Sequence, residues 1–440
     1  MAACGKRGRE RPLTRPFPRG GAGKGVWRAG RWPAVMTVNS ASPAPAARLS
    51  QPEFIALMAM LFAMVAFSID SILPALPEIA RELSPDAPNA AQLILTAFVM
   101  GMGIGTMFTG PLSDSYGRKR VIMFGAVLYS IGALLAYVAP TLETVLAARM
   151  IQGLGAAAPR IAAIALVRDL YKGRDMARIV SFTMMIFTLV PAIAPFMGQG
   201  IIAIGGWRSI FLAFVVFALV ACLWLGLRQP ETLPVEARRK MSVASLWSAA
   251  REVLSHRVIQ ISIAVQTLVF SALFATLSTT QPIFDQTFGQ GDNFPMWFAV
   301  IALFGGTSSF LNSRLVGRLG MRRMVTGALA LQVGFTAVML SALLAGVWPP
   351  AMAFGAHLVW TIGVFYMVGP TIGNLNALAL EPVGHIAGMA ASITAAIATI
   401  ASVLLAAPVG LMFDGTAVPL MTAILVFSGI GFVLMRMIPR

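Results

Sequence analysis

The chain has few charged residues, few cysteines and few histidines, and each shortage excludes a class of protein. Charged residues make up 11% of its 440 residues and hydrophobic residues 58%, whereas about a quarter of a soluble domain is charged. A soluble chain of this length needs more polar surface, so most of the exterior must face lipid. The two cysteines, Cys4 and Cys222, and the three histidines are scattered, which excludes a disulfide framework and gives no metal-ligand spacing.

The net charge of +16 is concentrated at the start of the chain. Residues 1–49 contain ten of the 33 Lys and Arg residues and no apolar run. Such a segment cannot bury enough apolar surface to fold, which predicts a basic, disordered tail. One interpretation is an electrostatic tail for membranes or nucleic acids. We favour the other, in which translation starts at Met36, and we therefore expect no nucleic-acid partner.

Twelve segments of the remaining chain are apolar over the roughly 20 residues that a helix needs to cross the hydrocarbon core. This pattern predicts an all-α membrane protein with twelve transmembrane helices. The predicted spans are residues 54–77, 90–112, 121–139, 142–167, 178–203, 209–227, 258–284, 295–316, 324–346, 350–375, 386–411 and 417–437.

The distribution of Lys and Arg orients these spans, because cytoplasmic loops are enriched in positive charge. With the N-terminus in the cytoplasm, only Arg81 and Arg208 fall in loops on the opposite side, and only Arg149 and Arg160 fall well inside a span. An odd number of spans would put the later basic loops on the wrong side. Both termini are therefore predicted to be cytoplasmic.

A basic segment, residues 228–257, divides the spans into two sets of six. Apolar residues at Val243, Leu246, Trp247, Val253 and Leu254 have the spacing of a short surface helix. Two six-helix halves joined by a cytoplasmic linker form a layout typical of transporters. The predicted halves are residues 50–227 and 258–440.

The loop between the second and third spans reads GPLSDSYGRKR, from Gly110 to Arg120. A degraded copy, NSRLVGRLGMRR, from Asn312 to Arg323, lies at the equivalent place in the second set of spans. The repeat indicates an internal duplication. The first copy resembles the signature of the major facilitator superfamily, Gly-x-x-x-Asp-x-x-Gly-Arg-Arg/Lys-Arg. The matching residues are Gly110, Asp114, Gly117, Arg118, Lys119 and Arg120.

Further segments extend the resemblance to residues 52–440. The fourth span begins ARMIQGLG, which is similar to the family's Arg-x-x-Gln-Gly-x-Gly motif. The fifth reads VPAIAPFMGQGI, which is similar to the antiporter motif but departs from it at Ala194 and Gln199. Together with these, IDSILPALPEIA, VRDLYKGRDMARIVSF, GGWRSIF and LEPVGHIAGMAASI resemble the Bcr/CflA drug-resistance subfamily.

The resemblance implies a cytoplasmic latch in the first half. In the family, the loop acid and arginine pair with an acid at the cytoplasmic end of the fourth helix, which here is Asp169. A charge-assisted network of this kind holds the halves together while the site faces outward. The alternative is that these charges only set topology. The residues assigned to the latch are Gly110, Asp114, Gly117, Arg118, Arg120 and Asp169.

Three ionisable residues lie inside predicted spans, where charge is costly unless it faces a cavity or a partner. Asp70 and Arg149 have comparable depths, and Arg160 follows Arg149 by eleven residues on nearly the same helix face. We predict that Asp70 carries a proton and that Arg149 biases its pKa. Alternatives are that Arg149 extends to the periplasmic interface and that Asp70 caps a helix beside Pro74.

The remaining site candidates are weaker. Pro191, Pro195 and Gly198 in the fifth span predict a kink or a close helix contact that gates transport, or plain packing. Polar residues in the second half and on the fourth span complete the predicted cavity, although such residues also serve in packing. These cavity candidates are Gln152, Gln266, Gln281, Trp360, Tyr366 and Asn374.

The sequence thus predicts a proton-coupled exporter of small amphipathic molecules in the bacterial inner membrane, working by alternating access. We expect neutral or anionic substrates, a monomer, no metal and no organic cofactor. An uptake symporter or facilitator on the same fold is the alternative. A membrane-embedded enzyme needs a nucleophile with its base, or metal ligands, and neither pattern is present.

Overall fold

The computed structural model describes residues 49–238 and 242–438, and the predicted basic tail up to residue 48 lies outside it. These residues are almost entirely helical and contain no strand. The helices are α1 Gln51–Asp70, α2 Leu76–Leu83, α3 Leu93–Tyr116, α4 Arg118–Val138, α5 Leu142–Leu170, α6 Gly173–Gly205, α7 Ser209–Arg228, α8 Val243–Ser255, α9 Arg257–Pro282, α10 Phe294–Leu319, α11 Met321–Leu344, α12 Pro350–Leu380, α13 Ala387–Leu411 and α14 Val418–Arg436.

Within the described residues, eleven helical stretches are long and apolar enough to cross a membrane. One of them, Pro350–Leu411, has 62 residues and contains both α12 and α13. As a single straight helix it would measure about 93 Å, three times the thickness of the hydrocarbon core. The helix breaks at Glu381–Ile386, where Val383 has φ −125° and ψ 36°. Both α12 and α13 are individually long enough to span.

The helices pack in a repeated pattern. In the first half, which we define as α1–α7, α3 packs on α5, α4 on α5 and α7, and α1 on α6. In the second half, α9–α14, the same arrangement recurs with α10 on α12, α11 on α12 and α14, and α9 on α13. The halves meet through α3 with α13 and through α6 with α10. The division into two domains stays a prediction, because the chain from Ala47 to Arg440 forms one compact unit.

Helix α8 in the linker lies beneath the second half. Its residues Ala249 and Val253 are buried against Ile263 of α9 and Ile393 of α13. The sequence predicted Trp247 and Leu254 on the apolar face as well, but Trp247 is 74% exposed and Leu254 is 43% exposed. Ala249 and Val253, rather than Trp247 and Leu254, therefore form the contact.

Candidate functional site

The fully buried guanidinium of Arg149 holds three helices together. Its Nη2 donates to the carbonyl oxygen of Ser68 on α1 at 2.9 Å, its Nε to that of Ile94 near the start of α3 at 3.3 Å, and its Nη1 to Gln152 Oε1 at 2.7 Å. The cation also lies 4.4 Å from the ring centroid of Phe98, a favourable geometry. Each nitrogen of the guanidinium is therefore already bonded within the first half.

This placement corrects the interpretation that Arg149 extends to the periplasmic interface. The side chain does not extend to a membrane interface, since it is 0% exposed. It also makes no ion pair with Asp70 among the described residues, because its fork points to main-chain oxygens of α1 and α3 instead. Gln152 belongs to the same cluster and is equally buried. We therefore assign both residues to support of the site rather than to its lining.

The glycines that follow Arg149 allow two neighbouring helices to approach α5 closely. A Cβ at Gly153 would lie 2.0 Å from the carbonyl oxygen of Phe98, and one at Gly155 would lie 2.3 Å from the amide nitrogen of Tyr129. Both distances are incompatible with any larger residue unless the helices separate. The two glycines thus let α3 and α4 pack closely on α5, as small residues do in membrane bundles.

Two residues of this cluster, Ser68 and Tyr129, were not predicted from the sequence. Ser68 Oγ lies 2.6 Å from Tyr129 Oη on α4 and also donates to the carbonyl oxygen of Met64 at 2.6 Å. Tyr129 is fully buried. A tyrosine hydroxyl in an apolar span needs a partner, which is the one signal that could have indicated it. Together with Arg149, these contacts fix the last turn of α1, immediately before Asp70.

Asp70 is the last residue of α1 and faces a cavity between the halves. The helix ends there, and a 3₁₀ turn, Leu73–Ala75, leads into α2. The residue is only 4% exposed, and its carboxylate has no hydrogen bond or ion pair among the described residues, so it does not act as a helix cap. It lines a cavity of about 290 Å³ together with Pro191 of α6, Ser308 of α10 and Phe365 of α12. Asp70 is the one charged residue in this lining.

Arg160 lies deeper on α5 and is partly exposed. The contact recorded for its guanidinium is with Met102 on α3, whose Sδ is 3.8 Å from Nη1. Arg160 is not part of the lining around Asp70. Within the described part of the chain its guanidinium makes no other hydrogen bond, so, unlike Arg149, it has donors left for another molecule.

Helix α6 contributes two of its three predicted residues to this region. Pro191 lines the cavity, and Gly198 lies against the end of α1, where an added Cβ would be 2.0 Å from the carbonyl oxygen of Ser71. Pro195 also lies inside the helix, which continues from Gly173 to Gly205 without interruption. The close contact rather than a helix break is the feature that the structure shows.

We expect Gly198→Ala to reduce transport several-fold and to lower the thermal unfolding midpoint. The added methyl group would clash with the backbone of Ser71, next to Asp70, and overpacking typically costs about 1–3 kcal/mol. Gly200→Ala is the matched control, because nothing lies within 4 Å of a Cβ there. Transport assays and melting curves of the two variants test this contact. Equal transport and equal melting midpoints of both variants would show that the contact does not matter for transport or stability.

The polar candidates of the second half lie away from the cavity around Asp70. Trp360 is fully buried and its Nε1 donates to Thr336 Oγ1 on α11 at 3.1 Å. Tyr366 lines a different cavity, between α10, α11 and α12. These placements correct the prediction that both face the central site, since helix packing turned them towards neighbours within their own half.

The three amides of this set are also held by their own half or left without a partner. Gln266 Nε2 donates to Asn376 Oδ1 at 2.9 Å, and Asn374 Nδ2 donates to Asn312 Oδ1 at 2.8 Å. Gln281 Oε1 is buried with no hydrogen-bond partner among the described residues. None of the three is in the lining around Asp70.

A charge network forms where α3 ends and α4 begins. The buried Arg118 donates from Nε to Asp169 Oδ2 of α5 at 3.1 Å and from Nη1 to Ser113 Oγ at 2.6 Å. Its Nη1 also pairs with Asp114. The network therefore joins the ends of three helices, as the family resemblance implied.

The segment after α7 completes this network, and its contribution was not predicted from the sequence. Glu231 Oε1 accepts from the backbone N–H of Arg118 at 2.9 Å, and Thr232 Oγ1 donates to Asp169 Oδ2 at 3.1 Å. Gly117, with φ 103°, turns the chain between the helices. A Cβ there would lie 2.4 Å from Glu231 Oε2, so both conformation and space favour glycine.

Two other motif residues have different roles. Gly110 faces α13, where an added Cβ would lie 2.9 Å from Ser392 Oγ, so it permits contact between the halves. Arg120 is exposed and makes no hydrogen bond or ion pair within the described residues. Its assignment to the network is therefore corrected: two residues after Arg118 on a helix, it points about 200° away.

The second copy of the motif keeps the glycine turn but lacks the counterparts of Arg118 and Asp114. Gly320, with φ 81°, caps α10 as Gly117 caps α3. Alignment on these glycines puts Met321 in the position of Arg118 and Gly317 in that of Asp114. The charge network is thus a feature of the first half.

The network faces the second half across a cavity of about 440 Å³. Asp114 and Arg118 line one side, and the turn from Gly384 to Met389 lines the other. Within the described residues, the hydrogen bonds of the network remain in the first half and the segment after α7. At the opposite end the halves are bonded, since Asn89 Nδ2 donates to the carbonyl oxygens of Leu411 and Phe413 at 3.1 and 2.7 Å.

Comparison with known proteins identifies the class. The profile of the Major Facilitator Superfamily matches residues 56–406, and the chain belongs to that family. It is a multi-pass membrane transporter rather than an enzyme. Among solved structures, the D-xylose–proton symporter superposes with a TM-score of 0.69 at 17% identity, over 89% of this chain and 98% of that one. The human organic anion transporter MFSD10 gives 0.62 at 17% identity, over 88% and 100%. These two show the fold alone.

Relatives with curated names indicate the subfamily. The bicyclomycin resistance protein homolog of Haemophilus influenzae is 30% identical over 84% of this chain and 91% of its own length. An uncharacterized MFS-type transporter of Bacillus subtilis is 29% identical over 85% and 92%, and the chloramphenicol resistance protein of Pseudomonas aeruginosa is 27% identical over 81% and 83%. The resemblance to the Bcr/CflA drug-resistance subfamily is thereby confirmed.

Proposed function

We propose that this protein exports small amphipathic drugs from the bacterial cytoplasm in exchange for protons, by alternating access. The observation that carries the proposal is the unpaired Asp70 in a cavity between the halves, where it is the one charged lining residue. A carboxylate in such a place is costly unless it binds a proton or a ligand. The names of the relatives, which concern bicyclomycin, chloramphenicol and multidrug resistance, support export of drugs.

We also propose twelve membrane crossings, with both ends of the chain in the cytoplasm. The break between α12 and α13 at Val383 divides the longest stretch into two crossings, which restores an even number. The basic segments at the ends of α3, α7 and α10 then share the cytoplasmic side, as the positive-inside rule requires.

In this mechanism the proton and the substrate alternate at Asp70. The ionised carboxylate accepts hydrogen bonds from a neutral substrate, and protonation removes that charge and weakens the contact. Arg149, Ser68 and Tyr129 hold the last turn of α1 in place, so the carboxylate keeps its position while its protonation changes. No cofactor takes part, because the proton gradient supplies the energy.

The charge network around Arg118 acts as the cytoplasmic latch. It sets the relative positions of the ends of α3, α4 and α5 and of the segment after α7. Closure of the cavity between Asp114 and the turn at Gly384 to Met389 would bring this assembly against the second half. We propose that the outward-facing state is stabilised in this way.

We propose that neutral or anionic substrates are preferred, with Arg160 as the cation that selects them. Since Arg149 is bonded within the protein, its donors are not available to a substrate. The attraction of the two arginines for an anionic substrate is therefore smaller than the sequence suggested. A charge pair 4 Å apart is worth about 4 kcal/mol at an effective dielectric of about 20, before desolvation. A fraction of that energy suffices, because about 1.4 kcal/mol is tenfold in affinity.

The experiment that tests the function uses everted membrane vesicles from an efflux-deficient host. With an acidic lumen, we expect the wild type to accumulate the neutral and anionic members of a matched compound series more strongly than the quaternary ammonium member. Arg160→Gln should lower accumulation of the anion about tenfold.

Arg174→Gln is the control, since it removes the same charge at an exposed position at the start of α6. Strong export of the quaternary cation that Arg160→Gln leaves unchanged would refute the selectivity proposal. Accumulation that requires the opposite gradient would instead identify an uptake symporter.

A further inference from the structure

The second half carries a groove that the transport mechanism does not use. It lies between α10, α11 and α12, has a volume of about 660 Å³ and is lined mainly by apolar side chains. Several of these side chains are open to the surroundings: Leu331 is 76% exposed, Val359 57% and Leu311 41%. An open apolar groove on a membrane-facing surface accommodates hydrocarbon.

A basic cavity continues this groove at one end. Where α10 ends and α11 begins, a space of about 680 Å³ is lined by Arg322, Arg323 and Arg436, with Glu381 as the one acid. Arg323 and Leu319 line both spaces, so the basic and apolar parts form one continuous site. The site is positive overall, and our proposed topology places its basic end at the cytoplasmic surface.

Arg323 is the residue best placed to hold a ligand at the junction. It is exposed and has no hydrogen bond or ion pair among the described residues. The nearby Arg322, in contrast, is bonded to the carbonyl oxygen of Ile438.

The length of the apolar part also fits one lipid chain. The α11 residues that line the groove run from Arg323 to Phe335, which corresponds to about 18 Å along the helix. One leaflet of the hydrocarbon core is about 15 Å deep.

We propose that this site binds one anionic phospholipid, with its phosphate at Arg323 and one acyl chain in the groove between α10, α11 and α12. Basic pockets between transmembrane helices on the cytoplasmic side attract anionic head groups, and the groove supplies the hydrocarbon contact that a free phosphate cannot use. The lipid braces α11, the helix that begins at the end of the second copy of the motif.

Native mass spectrometry of the purified full chain tests the proposal. The delipidated protein is mixed with dioleoylphosphatidylglycerol or with dioleoylphosphatidylcholine. We expect the wild type to retain one phosphatidylglycerol molecule more tightly than phosphatidylcholine, and Arg323→Gln to weaken that binding about fivefold. Gly327→Leu should also weaken it, because Gly327 lines the groove and nothing lies within 4 Å of a Cβ there.

Two matched controls separate this site from general effects. Arg318→Gln removes an exposed arginine near the same end of α10, outside both cavity linings, and Gly429→Leu adds the same side chain at an unobstructed position on α14. Both should bind phosphatidylglycerol like the wild type. Equal binding by all variants, or equal retention of the two lipids, would overturn the proposal. So would a dimer that Gly327→Leu abolishes, because the groove would then be an interface between two copies.

Discussion

Replacement of Asp70 by Asn is expected to abolish proton-driven efflux while substrate binding stays measurable. The substitution keeps the shape of the side chain but removes the group that can titrate, and Asp70 is the one charged residue lining the cavity between the halves. Because Arg149 is bonded to Ser68, Ile94 and Gln152, no nearby arginine is released into the cavity. Transport in everted vesicles and ligand binding to purified protein provide the two measurements.

Two further variants sharpen this experiment. Asp70→Glu retains a carboxylate and should recover part of the proton-driven transport. Asp175→Asn removes an exposed carboxylate at the start of α6 and should transport normally. If acidification drives transport by Asp70→Asn at the wild-type rate, the proton carrier lies elsewhere.

Replacement of Arg118 by Met is the second substitution for which we expect loss of transport, with membrane insertion intact. Methionine occupies the corresponding position, Met321, of the second half, so the helix start tolerates it. The change leaves Asp114 and Asp169 without their common cation, and hydrogen bonds to charged groups contribute about 1.5–3 kcal/mol each. Asp114→Asn should reproduce the loss. Efflux assays and quantification of protein in the membrane test both variants.

Arg120→Met is the matched control for this pair of variants. It removes a positive charge from the same loop and so perturbs topology signals equally, but Arg120 is exposed and makes no hydrogen bond or ion pair within the described part of the chain. Equal losses in Arg118→Met and Arg120→Met would show that the loop charges serve topology alone. Normal transport by Arg118→Met would remove the latch from the mechanism.

The candidate site was only partly accessible from the sequence. The family resemblance correctly implied that Arg118 pairs with Asp114 and Asp169, which motif spacing by itself does not show. Glu231 and Thr232 were missed, since nothing in QPET indicates that the segment after α7 folds back onto α4. Trp360 and Tyr366 were placed in the central cavity although they face their own half, because a single span gives no information on which side of a helix meets which neighbour.

The class of protein was determined by the sequence alone. Long apolar segments with few charges permit only lipid-embedded helices, and the basic loops and motif spacings identify the family. The tertiary structure decided what the buried charges do. Arg149 and Asp70 have similar depths in the sequence, yet only Asp70 faces the cavity, while Arg149 is bonded to carbonyl oxygens of Ser68 and Ile94. The physical reason is that these acceptors belong to other helices, and the close packing of one of them, α3, on α5 requires Gly153.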